Sequence, residues 1–157
     1  LADVLWPVIG AALGRDVRAA RARLVPGSGQ RRADYETGWF HATRALRAVG
    51  RARDRGDVGE ALSPLGLVQR VLALAAAEPA QREALDWWEQ TGRLIEVGVG
   101  GRALIAAGVP PGPAVGRGLK AAWRSAWLGG DVEAQQAAAL AEAGYPGGVQ
   151  PDGAVES

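Results

Sequence analysis

The sequence contains no cysteine, no methionine and a single histidine, His41. Without thiols there is no disulfide framework, no cysteine nucleophile and no cysteine-based zinc site. A histidine-rich metal site or a serine–histidine pair would have to rest on His41 alone, and that residue sits in an arginine-rich stretch that reads as ordinary helix surface. No apolar run approaches the ~20 residues that span a bilayer, and the first residues lack a charged region followed by an apolar core and a cleavage site. The expectation is a soluble, cytoplasmic chain with no membrane partner. It begins at Leu1 without an initiator methionine, which points to a piece of something longer.

What the chain has is helix-forming residues. Its 157 residues are 48% hydrophobic, rich in Ala, Leu, Arg and Glu and poor in β-branched types, so most windows prefer the helix. The expected fold is all-α, a multi-helix elongated bundle. Charge is unevenly spread. Residues 1–55 carry 11 Lys or Arg against 5 Asp or Glu, a net +6, whereas residues 56–157 carry 7 against 12, a net −5. That segregation fits a polyanion partner for the first part, and equally a solvated basic face.

Apolar spacing predicts short helices over Asp3–Leu13 and Arg15–Leu24, a break at "VPGSGQRR", and a longer helix from Asp34 to about Arg53. On that helix Trp39, Thr43 and Leu46 are expected to face the core, while Arg44, Arg47, Arg51 and Arg55 recur at i, i+3, i+7 and i+11 as a basic stripe. "DRGDVGEALSP" reads as a turn. A nearly apolar helix from Pro64 to Ala77, the expected central buried element, and one from Pro79 to about Glu96 follow, the latter with Leu85, Trp88 and Ile95 on one face. The adjacent Trp87 and Trp88 could stack on bases, but read better as one core and one rim residue. Asp86 and Glu89, at i and i+3, are the acids a metal-dependent enzyme would need here; such pairs are usually solvated surface.

The stretch "ALIAAGVPPGPAVGRGLKAAWRSAW" interrupts this pattern. Gly108 is placed to end one helix in the left-handed region, Pro110 and Pro111 forbid its continuation, and Pro113 suits the first turn of the next. Gly112 lets the chain reverse, and Gly116 permits close approach of a backbone or ligand. A tight helix-hairpin-helix-like turn is expected. Amides at the second helix's N-terminus would hold a phosphate, with Arg117, Lys120 and Arg124 at i, i+3 and i+7 along one face, while Leu119, Ala122, Trp123 and Ala126 face the core. A purely structural turn uses the same residues. Downstream, Gly129 or Gly130 stops a helix and Asp131 caps "VEAQQAAALAEA".

In "VGGRALIAAGVPPGPAVGRGLKAAWRSAWLGGDVEAQQAAALAEA", Val99 to Ala143, the residues Gly101, Leu104, Gly108, Pro111, Gly112, Pro113 and Gly116 fall on a G-x-x-L-x-x-x-G-x-x-P-G-P-x-x-G pattern. The segment resembles the C-terminal part of bacterial tRNA nucleotidyltransferases and the related poly(A) polymerases. It departs from them at Ala103, where the family usually has an acid, and at Gly118, where it usually has an aliphatic residue; glycine there is expected to loosen the helix by roughly 1 kcal/mol relative to alanine.

The resemblance implies a helical body over residues 1–98 and a tail subdomain over 99–143 that together grip the tRNA backbone, with 144–157 a disordered tail. It implies contacts from Arg44, Arg47, Arg51, Gly112, Gly116, Arg117, Lys120 and Arg124. Magnesium and nucleoside triphosphates are implied for a catalytic head, in the same or another chain. The sequence has no D-x-D pair on a plausible strand that could supply that head, so no catalytic residue and no cofactor are assigned to it. Two other classes fit: a helix-hairpin-helix DNA-binding module, and a structural module docking a catalytic partner.

Overall fold

The computed structural model describes residues 30–145, with side chains from Glu36 onward. The helices expected at Asp3–Leu13 and Arg15–Leu24 and the tail beyond Tyr145 lie outside the described residues. Among those described the architecture is all-helical, and the chain divides into two units between Leu94 and Ile95.

The N-terminal unit begins with α1, Gln30–Val49, which starts four residues earlier than its apolar spacing suggests. Its buried face is Gly38, Ala42, Ala45, Leu46 and Val49, at i, i+4, i+7, i+8 and i+11. Trp39 and Thr43 flank that face half-buried instead of filling it, and the Thr43 hydroxyl donates back to the Trp39 carbonyl at 2.9 Å.

The expected turn after α1 contains a helix of its own, α2, Arg55–Leu62. Two buried glycines, Gly56 and Gly59, hide it from a propensity reading, and its caps hold it. The Asp54 carboxylate accepts from the Asp57 amide at 2.8 Å, and the Asp57 carboxylate accepts from the Arg53 amide at 2.9 Å.

Helix α3, Leu67–Ala76, starts three residues later than expected because the Gln69 side chain caps the Gly66 N–H at 2.6 Å. It is less central than its composition implies. Leu72 and Ala73 are buried, Val68, Val71 and Leu74 are half-buried, and Leu67 is 59% exposed. Helix α4, Pro79–Gln90, opens on its proline and buries Leu85 and Trp88. It ends six residues before Glu96 in a 3-10 turn, Gly92–Leu94, which leaves Ile95 off that face. Gln81 serves both ends of a long connection: its Oε1 caps the Glu78 N–H at 2.9 Å and its Nε2 donates to the Leu46 carbonyl of α1 at 2.8 Å.

The C-terminal unit holds α5 (Gly101–Ala106), α6 (Pro113–Trp127) and α7 (Val132–Ala143). All three end alike. The residue after the cap is a glycine with positive φ, 95° at Gly108 and 88° at Gly129, and at Gly144 φ is 84°. Each is flanked by a crossed pair of backbone bonds: Val109 to Leu104 with Gly108 to Ile105, Gly130 to Ser125 with Gly129 to Ala126, and Tyr145 to Leu140 with Gly144 to Ala141. This is the Schellman arrangement, which satisfies the last carbonyls of a helix and needs a residue with no Cβ penalty. At α5 it also buries Val109 against Leu104, joining the turn to the core of Val99, Ala122, Ala139 and Ala143.

Gly118 corrects the expectation that glycine there only loosens α6. A Cβ at this position would lie 2.8 Å from the Ala139 carbonyl oxygen of α7 and 3.0 Å from Leu104 Cδ1, so the glycine is where α6 and α7 meet. Trp127 is buried in place of Trp123, which is 39% exposed and stacks on it with centroids 5.6 Å apart. Gln135, the one buried polar side chain among the described residues, accepts from the Gly98 N–H at 2.9 Å and donates to the Gly130 carbonyl at 2.9 Å. Its amide stitches two loops onto α7.

Gly118→Ala is therefore expected to destabilise the unit by about 1–3 kcal/mol through overpacking. Gly116→Ala, two positions away with nothing within 4 Å of the added methyl, is expected to be neutral or stabilising by up to about 1 kcal/mol. Urea denaturation of the two variants compares them directly; equal losses would show that the α6–α7 approach is not the constraint.

Candidate functional site

The residues singled out from the sequence fall in both units: Arg44, Arg47 and Arg51 in the first, and Gly112, Gly116, Arg117, Lys120 and Arg124 in the second. Because α1 buries Gly38, Ala42, Ala45, Leu46 and Val49, it must present Thr37, Phe40, His41, Arg44, Arg47 and Ala48 to solvent, and all six are exposed. Arg51 is exposed just past the helix end. Arg44 to Arg51 spans about 10 Å at helical rise. No Asp or Glu occurs from Thr37 to Arg51, and the nearest acid of described side chain on this side of α1 is Glu36, one turn before Phe40. Arg47 also occupies the last turn, where a cation complements the helix dipole.

Arg55 does not continue the stripe. It opens α2, and its guanidinium lies over the Trp87 ring, 5.4 Å from the centroid, as a cation–π contact. Trp88 is buried and Trp87 half-buried, with ring centroids 6.4 Å apart. The core-and-rim arrangement is closed by Gly92, where a Cβ would lie 2.7 Å from Trp88 Cε3 and 3.0 Å from Trp87.

Glu89 is committed to cations. Its carboxylate oxygens meet Arg70 Nε at 2.9 Å and Arg93 Nε at 3.0 Å, and Arg70 also donates to the Leu65 carbonyl at 3.2 Å. Asp86 is exposed. Among the described residues no three His, Cys, Asp or Glu come together in a way that could hold a metal ion. The resemblance implies magnesium for a catalytic head and not for these residues, and no transfer step is assigned to them.

On α6, Arg117 and Lys120 are exposed and Arg124 is half-buried in the last turn. Gly112 precedes the helix with φ 124°. The amides at this N-terminus are fewer than expected: Pro113 has none, and the Val115 and Gly116 N–H groups donate to the Gly112 carbonyl at 3.1 and 3.4 Å. Ala114 is the first-turn amide outside those bonds. The space beside Gly116 is open, and the close helix–helix approach within this unit occurs at Gly118.

Sequence reasoning missed Phe40. It is 60% exposed and lies at i−4, i−7 and i−11 from Arg44, Arg47 and Arg51, a spacing that was readable in the sequence. Periodicity alone does not mark it, because an aromatic residue on an amphipathic helix usually packs in the core. In comparisons with protein-family models, curated proteins and solved structures, nothing matches the chain.

The tight seat under the two indoles generates a prediction. Gly92→Ala is expected to lower stability by about 1–3 kcal/mol and to change tryptophan fluorescence. Arg44→Ala, on the exposed face, is expected to stay within about 0.5 kcal/mol. Thermal melts of both variants against the parent chain check the contrast.

Proposed function

We propose that this chain is the tRNA-binding C-terminal region of a protein resembling tRNA nucleotidyltransferases, holding the RNA backbone while a catalytic head, in the same or another chain, extends the 3′ end. The observation that carries the reading is the exposed run of Arg44, Arg47 and Arg51 on α1, in a segment from Thr37 to Arg51 without Asp or Glu. It offers Arg44, Arg47 and Arg51 to a polyanion at surface positions where they do little for stability. The turn between α5 and α6 adds support, because the residues on which the family resemblance rests include the glycine with left-handed φ, Gly108, and the N-capping Gly112. In this reading the turn is a helix-hairpin-helix-like grip. Arg117, Lys120 and Arg124 supply its charge, and Gly116 leaves room for the backbone of the nucleic acid.

Such contacts position an RNA and give affinity without reading its sequence. They also make binding depend steeply on salt, because each neutralised phosphate releases counterions. A second reading is favoured by the exposed Ile105, Trp123, Leu128 and Val132 of the C-terminal unit, which suit docking onto a catalytic partner. A helix-hairpin-helix DNA-binding module would use the same cations, and competition between tRNA and duplex DNA separates it.

The test is tRNA binding over a salt series, with Arg44, Arg47 and Arg51→Ala and Arg117, Lys120 and Arg124→Ala as two triple variants. The parent chain is expected to bind at low salt, and each triple variant to lose affinity and about 2–3 units of the log–log salt slope. Absence of tRNA binding at low salt overturns the reading, as does a slope that neither variant changes.

A further inference from the structure

The exposed face of α1 is not purely basic. Its N-terminal part carries two aromatic rings, Phe40 and His41, in an edge-to-face pair with centroids 5.7 Å apart and planes at 76°. Phe40 leaves 60% of its surface in water, the second highest value among the large hydrophobic side chains exposed in the described residues, although a helix with a well-formed buried face has no packing use for it there. In an edge-to-face pair one ring's edge meets the other's face, so at least one face of Phe40 is left clear of His41. Phe40 stands one helical turn before Arg44 on the same face, and the next cations follow at Arg47 and Arg51.

An exposed ring in line with three arginines, in a segment from Thr37 to Arg51 that holds no Asp or Glu, has a specific chemical use. The cations fix a nucleic-acid backbone along the helix, and the ring meets whatever that backbone carries one turn further on. In a duplex the bases are stacked inside and offer no face to it. In a loop or single strand an unstacked base can turn outward and lie on the ring, an interaction open to any base because every base has a π-face.

We infer that Phe40 is a stacking site for an unpaired nucleobase, with His41 supporting its ring and Arg44 and Arg47 holding the flanking phosphates. This rests on the RNA-binding reading above and narrows it: the α1 face grips looped or single-stranded RNA at this end, where a helix of cations alone would accept a duplex equally well.

The experiment uses the full chain and two probes of equal length, a hairpin RNA with 2-aminopurine in its loop and the corresponding fully paired duplex. Binding is followed by anisotropy over a salt series and by 2-aminopurine fluorescence. Phe40→Ala is expected to weaken hairpin binding by at least about fivefold, the lower end of what removal of one stacking contact costs. It should leave duplex binding and both salt slopes unchanged and abolish the fluorescence change. Phe40→Trp is expected to restore hairpin affinity and signal, which a purely structural role would not do. Arg44 and Arg47→Ala together should weaken both probes and lower the slope. If Phe40→Ala binds both RNAs as the parent chain does, or weakens both equally, the stacking site is overturned while RNA binding stands. If the parent chain binds neither probe at low salt, the RNA-binding reading falls and the stacking site with it.

Discussion

The packing of this protein depends on how closely its helices can come. Of the buried hydrophobic side chains, Ala42, Ala45, Ala73, Ala77, Ala122, Ala126, Ala139 and Ala143 carry a single methyl each. Such a core buries little apolar surface per residue, so it must compensate by bringing backbones near one another. In the N-terminal unit α1 offers Gly38 to Leu72 of α3, where an added Cβ would lie 3.5 Å from the leucine's Cδ1. In the C-terminal unit the approach is tighter still, with Gly118 directly against the Ala139 carbonyl. A larger residue at Gly118 would separate α6 from α7 and leave the neighbouring alanines without contacts.

Close approach places a second demand on helix ends. Short helices of small residues gain little from length, so each must stop with its terminal carbonyls satisfied. The C-terminal unit meets this demand with the same crossed hydrogen-bond pair three times. Gln135 then fixes the loops on either side of α7 from within. In the N-terminal unit side chains serve the other ends of the helices, where Asp54, Asp57, Gln69 and Gln81 accept from backbone N–H groups at the helix starts.

These devices explain what the sequence disclosed and what it concealed. Helix α6 and the Asp131 cap of α7 were legible because Pro113, Gly129 and Asp131 are local signals that act within a few residues. Helix α2 was hidden because its two glycines argue against a helix locally, whereas burial makes them useful. Gly118 was misread for the same reason: a propensity penalty is visible in sequence, but the helix it lets in is not. Trp123 and Trp127 share an apolar stripe, and which of them is buried depends on where α7 crosses. At the candidate site the arginine spacing was readable. The exposure of Phe40 was not, because it follows from which side of α1 meets α2 and α3.

Gln81 carries a consequence for how that arginine face is kept. Its amide nitrogen reaches the Leu46 carbonyl, a backbone group lying between Arg44 and Arg47 and 35 residues away in sequence. The final turn of α1 is thereby moored to the first turn of α4 instead of being left to fray into solvent. The backbone spacing of Arg44 and Arg47 is then held at helical rise, so a neutral amide from another helix sets where those two side chains leave the surface.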